Sequence, residues 1–522
     1  MAAPSPWWRG AVIYQVYVRS FCDSNGDGQG DFAGLVSKLD YIAGLGVDAI
    51  WLSPIHPSPN RDWGYDVSDY EGVHPDYGTL DDFGALVAAA HARGLKIILD
   101  EVLAHTSDEH AWFAASRDGD TAKRDWYVWA DPKDDGTVPN NWLSVFGGPA
   151  WSYQPARRQY YHHKFLRQQP KLSWVHPGAR EAALTVLDVW LQRGVDGFRL
   201  DVANAFLHDA RLTDNPAIPA AERNFLEWAA AANMQRHLFD SNLAENRALL
   251  DVVRRRVEGF DDRFVFGEFS EEFERSGCYL PSDQGLHAGY NFALLLTGDA
   301  EGILAHLTTL AAYPDHWPCI AFSNHDVTRT VSRFGPDSAK VMLALLLSMR
   351  GTALLYQGEE LGLPEVDLQR DQLRDPVGDL YYPLFKGRDG CRTPMPWDAG
   401  KPNLGFSSGA PWLSLGPEHA TLAVSAQDKD AHSTLSYARA FLKARKKLAA
   451  MIEGDLVLLD APDPLIAFNR GGALLCVFNL SDTAQRWPIS QAAQEIGMGT
   501  GGARLDNGVL NLPPLSAWFG QL

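Results

Sequence analysis

Short runs of apolar, β-branched and aromatic residues alternate with longer amphipathic stretches through the first two thirds of the chain. Runs that read as buried strands are AVIYQVYV (11–18), VDAIWLSP (47–54), LKIILDEVL (95–103), VDGFRLDV (195–202), FVFGEF (264–269), CIAFSNHD (319–326) and ALLYQGEE (353–360). GLHAGYNFAL (285–294) is an eighth, weaker candidate. Between them lie stretches with helical spacing, such as FAGLVSKLDYIAGLG (32–46) and FGALVAAAHARG (83–94); the second ends on a glycine suited to a helix C-cap. Eight strands alternating with helices predict an α/β fold, a (β/α)8 barrel. A doubly wound open sheet is the structural rival. It calls for a glycine-rich phosphate loop after the first strand, and none of the right form is present.

Two regions break the alternation. Residues 104–175, between the third and fourth strands, exceed a helix with two loops and are rich in Trp, Tyr, His and Pro. They predict a subdomain inserted on the catalytic face. Residues of about 362–425 follow the last strand without clear periodicity. YARAFLKARKKLAAM (437–451) then reads as a helix, and short alternating runs from 452 to 522 predict a small antiparallel β domain, a sandwich. The barrel is thus expected over 1–103 and 176–451.

Composition narrows the partners. Of 522 residues, 46 are basic and 65 acidic, a net charge of −19 that argues against nucleic acid or an anionic membrane. No run approaches a membrane helix, and MAAPSPWWRG lacks the apolar core of a signal peptide. The five cysteines (Cys22, Cys278, Cys319, Cys391, Cys476) show no paired or metal-ligating spacing. They read as free thiols, and the expected location is cytoplasmic.

Candidate chemistry sits at strand ends. GFRLDV ends on Arg199 and Asp201, FVFGEF carries Glu268, and CIAFSNHD carries His325 and Asp326. An acid ending an apolar strand is costly unless paired or catalytic. Three such acids predict one cleft where parallel strands converge. Cleavage of a glycosidic bond with retention needs a carboxylate nucleophile and a carboxylic acid roughly 5 Å apart. Arg199, two residues before Asp201, shares its strand face and would keep the nucleophile ionised. Gly267, just before Glu268, leaves room for a ligand or another backbone to come close.

GFRLDV, FGEFS and FSNHD, with VDAIWLSP, DEVLAH, QPKLSW and GTALLYQGEE in order, resemble the motifs of the α-amylase family of glycoside hydrolases. GYDVSDY and CRTPMPW resemble its α-glucosidase and oligo-1,6-glucosidase branch. The resemblance covers essentially the whole chain. It implies Asp201 as nucleophile, Glu268 as acid/base and Asp326 as transition-state stabiliser, acting on a small α-glucoside or oligosaccharide. It further implies that His105 and His325 hydrogen-bond the glucosyl ring, that Tyr65 is its aromatic platform, and that Asp62 and Arg392 form a pair gripping the non-reducing end. Such a pair predicts exo-action. Phe146 and Phe165 are candidates for the next position, with core packing the alternative.

Asp23-Ser24-Asn25-Gly26-Asp27-Gly28-Gln29-Gly30-Asp31 places oxygen ligands at alternate positions around tight turns, as calcium requires. Position twelve is Gly34, so this is no EF-hand; a metal-free polar turn is the alternative. The resemblance implies one structural calcium held by Asp23, Asn25, Asp27, Asp31 and the Gln29 carbonyl.

Two positions depart from the family pattern. Ala104 stands where Asn is usual, so no inter-domain calcium is expected. Lys171 stands where the branch usually has Asp. The leading expectation is an exo-acting α-glucosidase with transglucosylation. Its rivals are an oligo-1,6-glucosidase, a trehalose or isomaltulose synthase-type isomerase, and, from another class, a non-catalytic barrel. The intact Asp201, Glu268 and Asp326 argue against the last.

Overall fold

The computed structural model describes residues 5–222, 231–270, 284–489 and 493–522. Its centre is a barrel of eight parallel strands: β1 Val12–Val16, β2 Ala49–Leu52, β3 Lys96–Glu101, β7 Gly197–Leu200, β8 Phe264–Phe269, β9 Ala288–Asn291, β10 Cys319–Ile320 and β11 Thr352–Tyr356. The hydrogen-bonded order runs β10-β11-β1-β2-β3-β7-β8-β9, and a parallel bridge between Gly289 and Pro318 brings the ends together. The weak candidate at 285–294 is thus a real strand, of four residues. The run at 319–326 pairs only over its first two residues, which leaves Ser323 to Asp326 as the loop above the barrel.

Alternation within each strand sorts side chains to two cores. Ile13, Ala49, Trp51, Ile98, Phe264, Phe266 and Tyr290 fill the barrel. Val12, Ile50, Leu99, Phe198, Leu200 and Val265 face the surrounding helices. The same alternation carries inward-facing polar groups to the C-terminal strand ends: Asp100 follows Ile98, Arg199 and Asp201 follow Gly197, and Glu268 follows Phe266. Register locks them together, with Asp100 opposite Arg199 and Glu268 opposite Tyr290. Gly197 is required for close approach, because a Cβ there would lie 2.2 Å from the carbonyl oxygen of Phe264.

The helical stretch expected over 32–46 is two helices, Phe32–Ser37 and Leu39–Leu45, broken where Lys38 leaves helical geometry. The stretch at 83–94 begins earlier, as Leu80–His91, with Thr79 closing a capping box on Asp82. Its C-cap is Ala92 rather than Gly94. The 437–451 stretch is Thr434–Arg445 followed by Ala449–Ile452.

In the insertion after β3, strands β4 Trp129–Ala130, β5 Trp151–Gln154 and β6 Gln159–His162 form a small antiparallel sheet in the order β4-β6-β5. Trp142 and Trp151 pack there against Leu212 and Phe239 from the segment that follows β7. At the C-terminus lie an antiparallel sheet of five strands and one of three, beginning at Leu456–Leu458 and ending at Ser516–Gln521. One face of the larger sheet packs Leu465, Val477 and Trp518 toward Leu510 and Leu512 of the smaller. The other gives Phe468, Phe478 and Phe519 to the main core.

Cys22, Cys319, Cys391 and Cys476 are buried free thiols, and Cys278 lies outside the described residues. Among the described residues no helix is long and apolar enough to cross a membrane.

Candidate active site

Three carboxylates surround one guanidinium at the top of the barrel. Arg199 Nη1 donates to Asp100 Oδ1 (2.6 Å) and Asp201 Oδ1 (2.8 Å), and its Nη2 lies 2.5 Å from Glu268 Oε1. Leu200 is in register with Gly267, so Asp201 and Glu268 leave adjacent strands side by side. Neighbouring strands lie about 4.8 Å apart, the order of separation that a nucleophile and an acid need for retention. Glu268 Oε1 also accepts from Tyr290 Oη (3.0 Å). Gly267, between the two, gives its space to Ala203 and Leu286, side chains that a Cβ would meet at 2.9 and 2.8 Å. It is protein, not ligand, that comes close there.

One cation cannot hold three buried acids ionised. Burial pushes Glu268 up to about 7, Arg199 opposes this, and Asp201 and Asp326 reinforce it. Burial likewise raises Asp100 and Asp201, each to about 7. The three acids titrate as a unit and retain a proton near neutral pH.

A second cluster faces the first. Arg388 Nη2 donates to Asp62 Oδ1 (2.7 Å), its Nε to Asp375 Oδ2 (2.8 Å) and its Nη1 to Asp326 Oδ1 (3.2 Å). This corrects the expected pairing of Asp62 with Arg392. Arg392 is fully buried, and it donates to the His325 carbonyl (2.7 Å) and Asp326 Oδ1 (2.8 Å). The two arginines flank a single 3-10 turn, Asp389–Cys391, which sends one toward Asp62 and the other beneath Asp326. Burial alone would raise Asp326, but His325, Arg388 and Arg392 outweigh it and hold this carboxyl well below the usual range. Asp375 is held down to about 2 against burial by Arg388.

A relay joins the clusters. Gln15 Nε2 donates to His325 Nδ1 (2.8 Å), which leaves Nε2 to donate toward Tyr65 Oη (2.5 Å) and Asp326 Oδ2 (3.2 Å). Tyr65 donates in turn to Asp100 Oδ2 (3.0 Å). Burial pushes His325 down to about 3 and His105 down to about 4, so both imidazoles are neutral.

A cavity of about 320 Å³ opens between the clusters. Of the residues expected from sequence, Asp62, Tyr65, His105, Phe146, Phe165, Asp201, Glu268 and Asp326 line it. Arg199, His325 and Arg392 stand behind that wall. Sequence reasoning missed Arg388, which grips Asp62, and Gln169, whose Nε2 reaches Asp62 Oδ2 (3.0 Å) and His105 Nε2 (3.2 Å). Gln169 opens the QPKLSW motif, and Arg388 stands four residues before Arg392; both were in view without a sign of where they point. Asp100 and Tyr290, inward-facing on strands already recognised, were legible from alternation.

The Asp23–Asp31 loop offers an oxygen-only donor set, the chemistry of a hard cation. In the structure it is closed by its own bonds. Asp23 accepts from the backbone of Asn25, Gly26 and Gly28 and from Ser407, Asp27 from Gln29 N and Asn25 Nδ2, and Asp31 from Ser24 and Gly34. Among the described residues no group of three His, Cys, Asp or Glu side chains is placed to hold a metal.

With this geometry in hand, the family model of the alpha-amylase catalytic domain matches residues 15–454. The chain belongs to the alpha-amylase family of glycoside hydrolases. It is 45% identical to a probable alpha-glucosidase of Rhizobium meliloti (strain 1021), over 99% of this chain and 97% of that protein. It is 36% identical to the oligo-1,6-glucosidase of Parageobacillus thermoglucosidasius, over 87% of each. Among solved structures it resembles an alpha-glucosyl transfer enzyme, XgtA, at 46% identity and a TM-score of 0.96, covering 99% of this chain and 100% of the other. The trehalulose synthase MutB of Pseudomonas mesoacidophila MX-45 resembles it at 32% identity and a TM-score of 0.89, with the same coverage.

Proposed function

We propose that this family member is a retaining, exo-acting α-glucosidase that cleaves terminal α-linked glucose from small substrates and also transfers it to acceptors. The observation that carries the reading is the shape of the cavity: Asp201 and Glu268 stand on one side, and the charged Asp62–Arg388 pair stands on another. A terminal glucose held by its hydroxyls against that pair presents its anomeric carbon to Asp201. Tyr65 offers a ring for the apolar sugar face. Charge-assisted bonds from Asp62 and Arg388 fix the sugar's far end.

In the first step Glu268 gives its proton to the leaving oxygen while Asp201 attacks the anomeric carbon, forming a glucosyl ester. In the second, Glu268 takes a proton from water or an acceptor hydroxyl, which displaces Asp201. Asp326, kept ionised, faces the positive charge that develops on the ring. The names of the relatives agree with both outcomes, hydrolysis and transfer.

The test is product analysis on maltose, isomaltose, sucrose and trehalose, with the anomer of the first glucose read by proton NMR. α-Glucose first is expected, and β-glucose first rules out retention. On starch, glucose is the expected early product, whereas early maltose or longer chains would mean an open cleft. We further propose that calcium occupies the Asp23–Asp31 loop as a structural ion, remote from the chemistry; the donor set supports this. The expected location remains cytoplasmic, which fractionation with a tagged chain checks.

A further inference from the structure

We infer that Lys171 is a positioning residue, whose side-chain nitrogen clamps the turn after the nucleophile and thereby sets Asp201 and Glu268 relative to one another. The inference rests on Asp201 and Glu268 being the reacting pair. Lys171 is 2% exposed and does not border the cavity, so it acts only through what it holds. Its Nζ donates to the carbonyl of Ala205. That carbonyl ends the 3-10 turn Ala203–Ala205, which starts two residues after Asp201.

The turn is entered under strain. Val202 has φ +36°, a left-handed backbone that β-branched residues rarely adopt. Such a conformation persists where its surroundings over-determine it. Here donors reach each residue of the turn from outside: Asn246 Nδ2 to the Ala203 carbonyl (2.7 Å), Asn242 N to that of Asn204 (2.9 Å), and Lys171 to that of Ala205. The N–H of Val202 itself donates to Glu268 Oε2 (3.4 Å). The peptide between the nucleophile and the turn therefore touches the acid/base as well.

Lys171 reaches the turn from the opposite wall. Its backbone pairs with His105 in an antiparallel bridge, and its N–H donates to the His162 carbonyl (2.9 Å) in the inserted subdomain. One side chain thus ties the wall that carries His105 to the loop that carries Asp201. Burying an ammonium is costly, and burial brings Lys171 down to about 7. Among the described residues Lys171 has no carboxylate in contact; the nearby Asp240 is bonded to Lys164, His237 and Asn215. A methionine would fill similar space without that cost, but it would give Ala205 no donor.

The experiment compares wild type, K171M and K171R on an aryl α-glucoside and on a disaccharide. K171M is expected to fold and to lose roughly ten- to a hundredfold in kcat, the scale of a small misplacement of reacting groups, with donor KM within about threefold. The loss should be larger for the disaccharide, whose leaving oxygen needs the Glu268 proton, than for the aryl glucoside, because the clamp sets the acid relative to the nucleophile. K171R, which restores a donor, should regain part of it. Wild-type kcat in K171M, a loss carried by KM alone, or K171R no better than K171M would overturn the inference. Should K171M not fold, K171Q is read in the same way; if neither folds, Lys171 serves the fold and the inference fails. If wild type releases no glucose, the glucosidase reading fails instead. The crystal structure of K171M then decides: Val202 leaving the left-handed region supports the clamp, and an unchanged turn refutes it.

Discussion

Two buried arginines each serve three carboxylates, and the outcomes are opposite. Arg199 faces Asp100, Asp201 and Glu268, and all three acids are raised. Arg388 faces Asp62, Asp326 and Asp375, and two of them are held low. The difference is the further cation. Arg392 bonds Asp326 as well, and Arg388 donates to Asp375 through both backbone and guanidinium. Asp62 is the exception: burial and the neighbouring Asp375 raise it despite Arg388. The ratio of cations to acids, rather than the acids themselves, separates a site that trades protons from one that holds fixed charge.

The strongest test of the contrast is Asp201→Asn. Turnover should fall on the order of 10⁴-fold or more, as for removal of a nucleophile from a cooperating set, with the fold intact by circular dichroism. Glu268→Gln should cost roughly 10²–10⁴-fold on disaccharides and much less in the first step with aryl glucosides whose leaving group needs no proton. Equal losses on both would remove Glu268 from the acid role.

Next comes the grip on the sugar. Asp62→Ala removes a charged hydrogen bond, worth about 1.5–3 kcal/mol, so kcat/KM should fall by roughly ten- to more than a hundredfold. Maltose and isomaltose should suffer alike, since the linkage lies beyond the other end of the glucose. Arg388→Lys should act in the same way, through KM as well as kcat. Arg392→Lys should instead raise the pKa of Asp326 and depress kcat with little change in KM. A mainly KM effect from Arg392→Lys would restore the pairing expected from sequence.

The pH profile separates the clusters further. The Arg199 group must keep one proton for Glu268 to act as acid. Activity should be lost as pH rises through about 7, the value to which burial pushes Glu268, and lost again in acid as Asp201 is protonated. With an aryl glucoside, Glu268→Gln should flatten the alkaline limb of kcat/KM. A limb unmoved by that substitution would place the titrating proton elsewhere.

The smallest effect is expected at the Asp23–Asp31 loop. Chelation should lower Tm while leaving activity well below Tm nearly unchanged. An unchanged Tm, with no metal copurifying, would leave the loop as the hydrogen-bonded turn described above.

Alternation along single strands was enough to predict the barrel, and it placed Arg199, Asp201 and Glu268 at strand ends, because neighbours within one strand have their faces set by a two-residue period. Even the weak run at 285–294, read as the eighth candidate, contains a strand. The motifs also sufficed for the family. Loops carry no such period. Asp62, Gln169 and Asp326 come from three different connections, and Asp375 and Arg388 from a fourth, so which arginine met Asp62 depended on how one 3-10 turn is seated over the barrel, and the family resemblance pointed to Arg392 instead. The raised pKa of Glu268, the left-handed Val202 and the reach of Lys171 to Ala205 belong to the same class: each is set by burial and contact between distant segments, and only the tertiary structure brings those segments together.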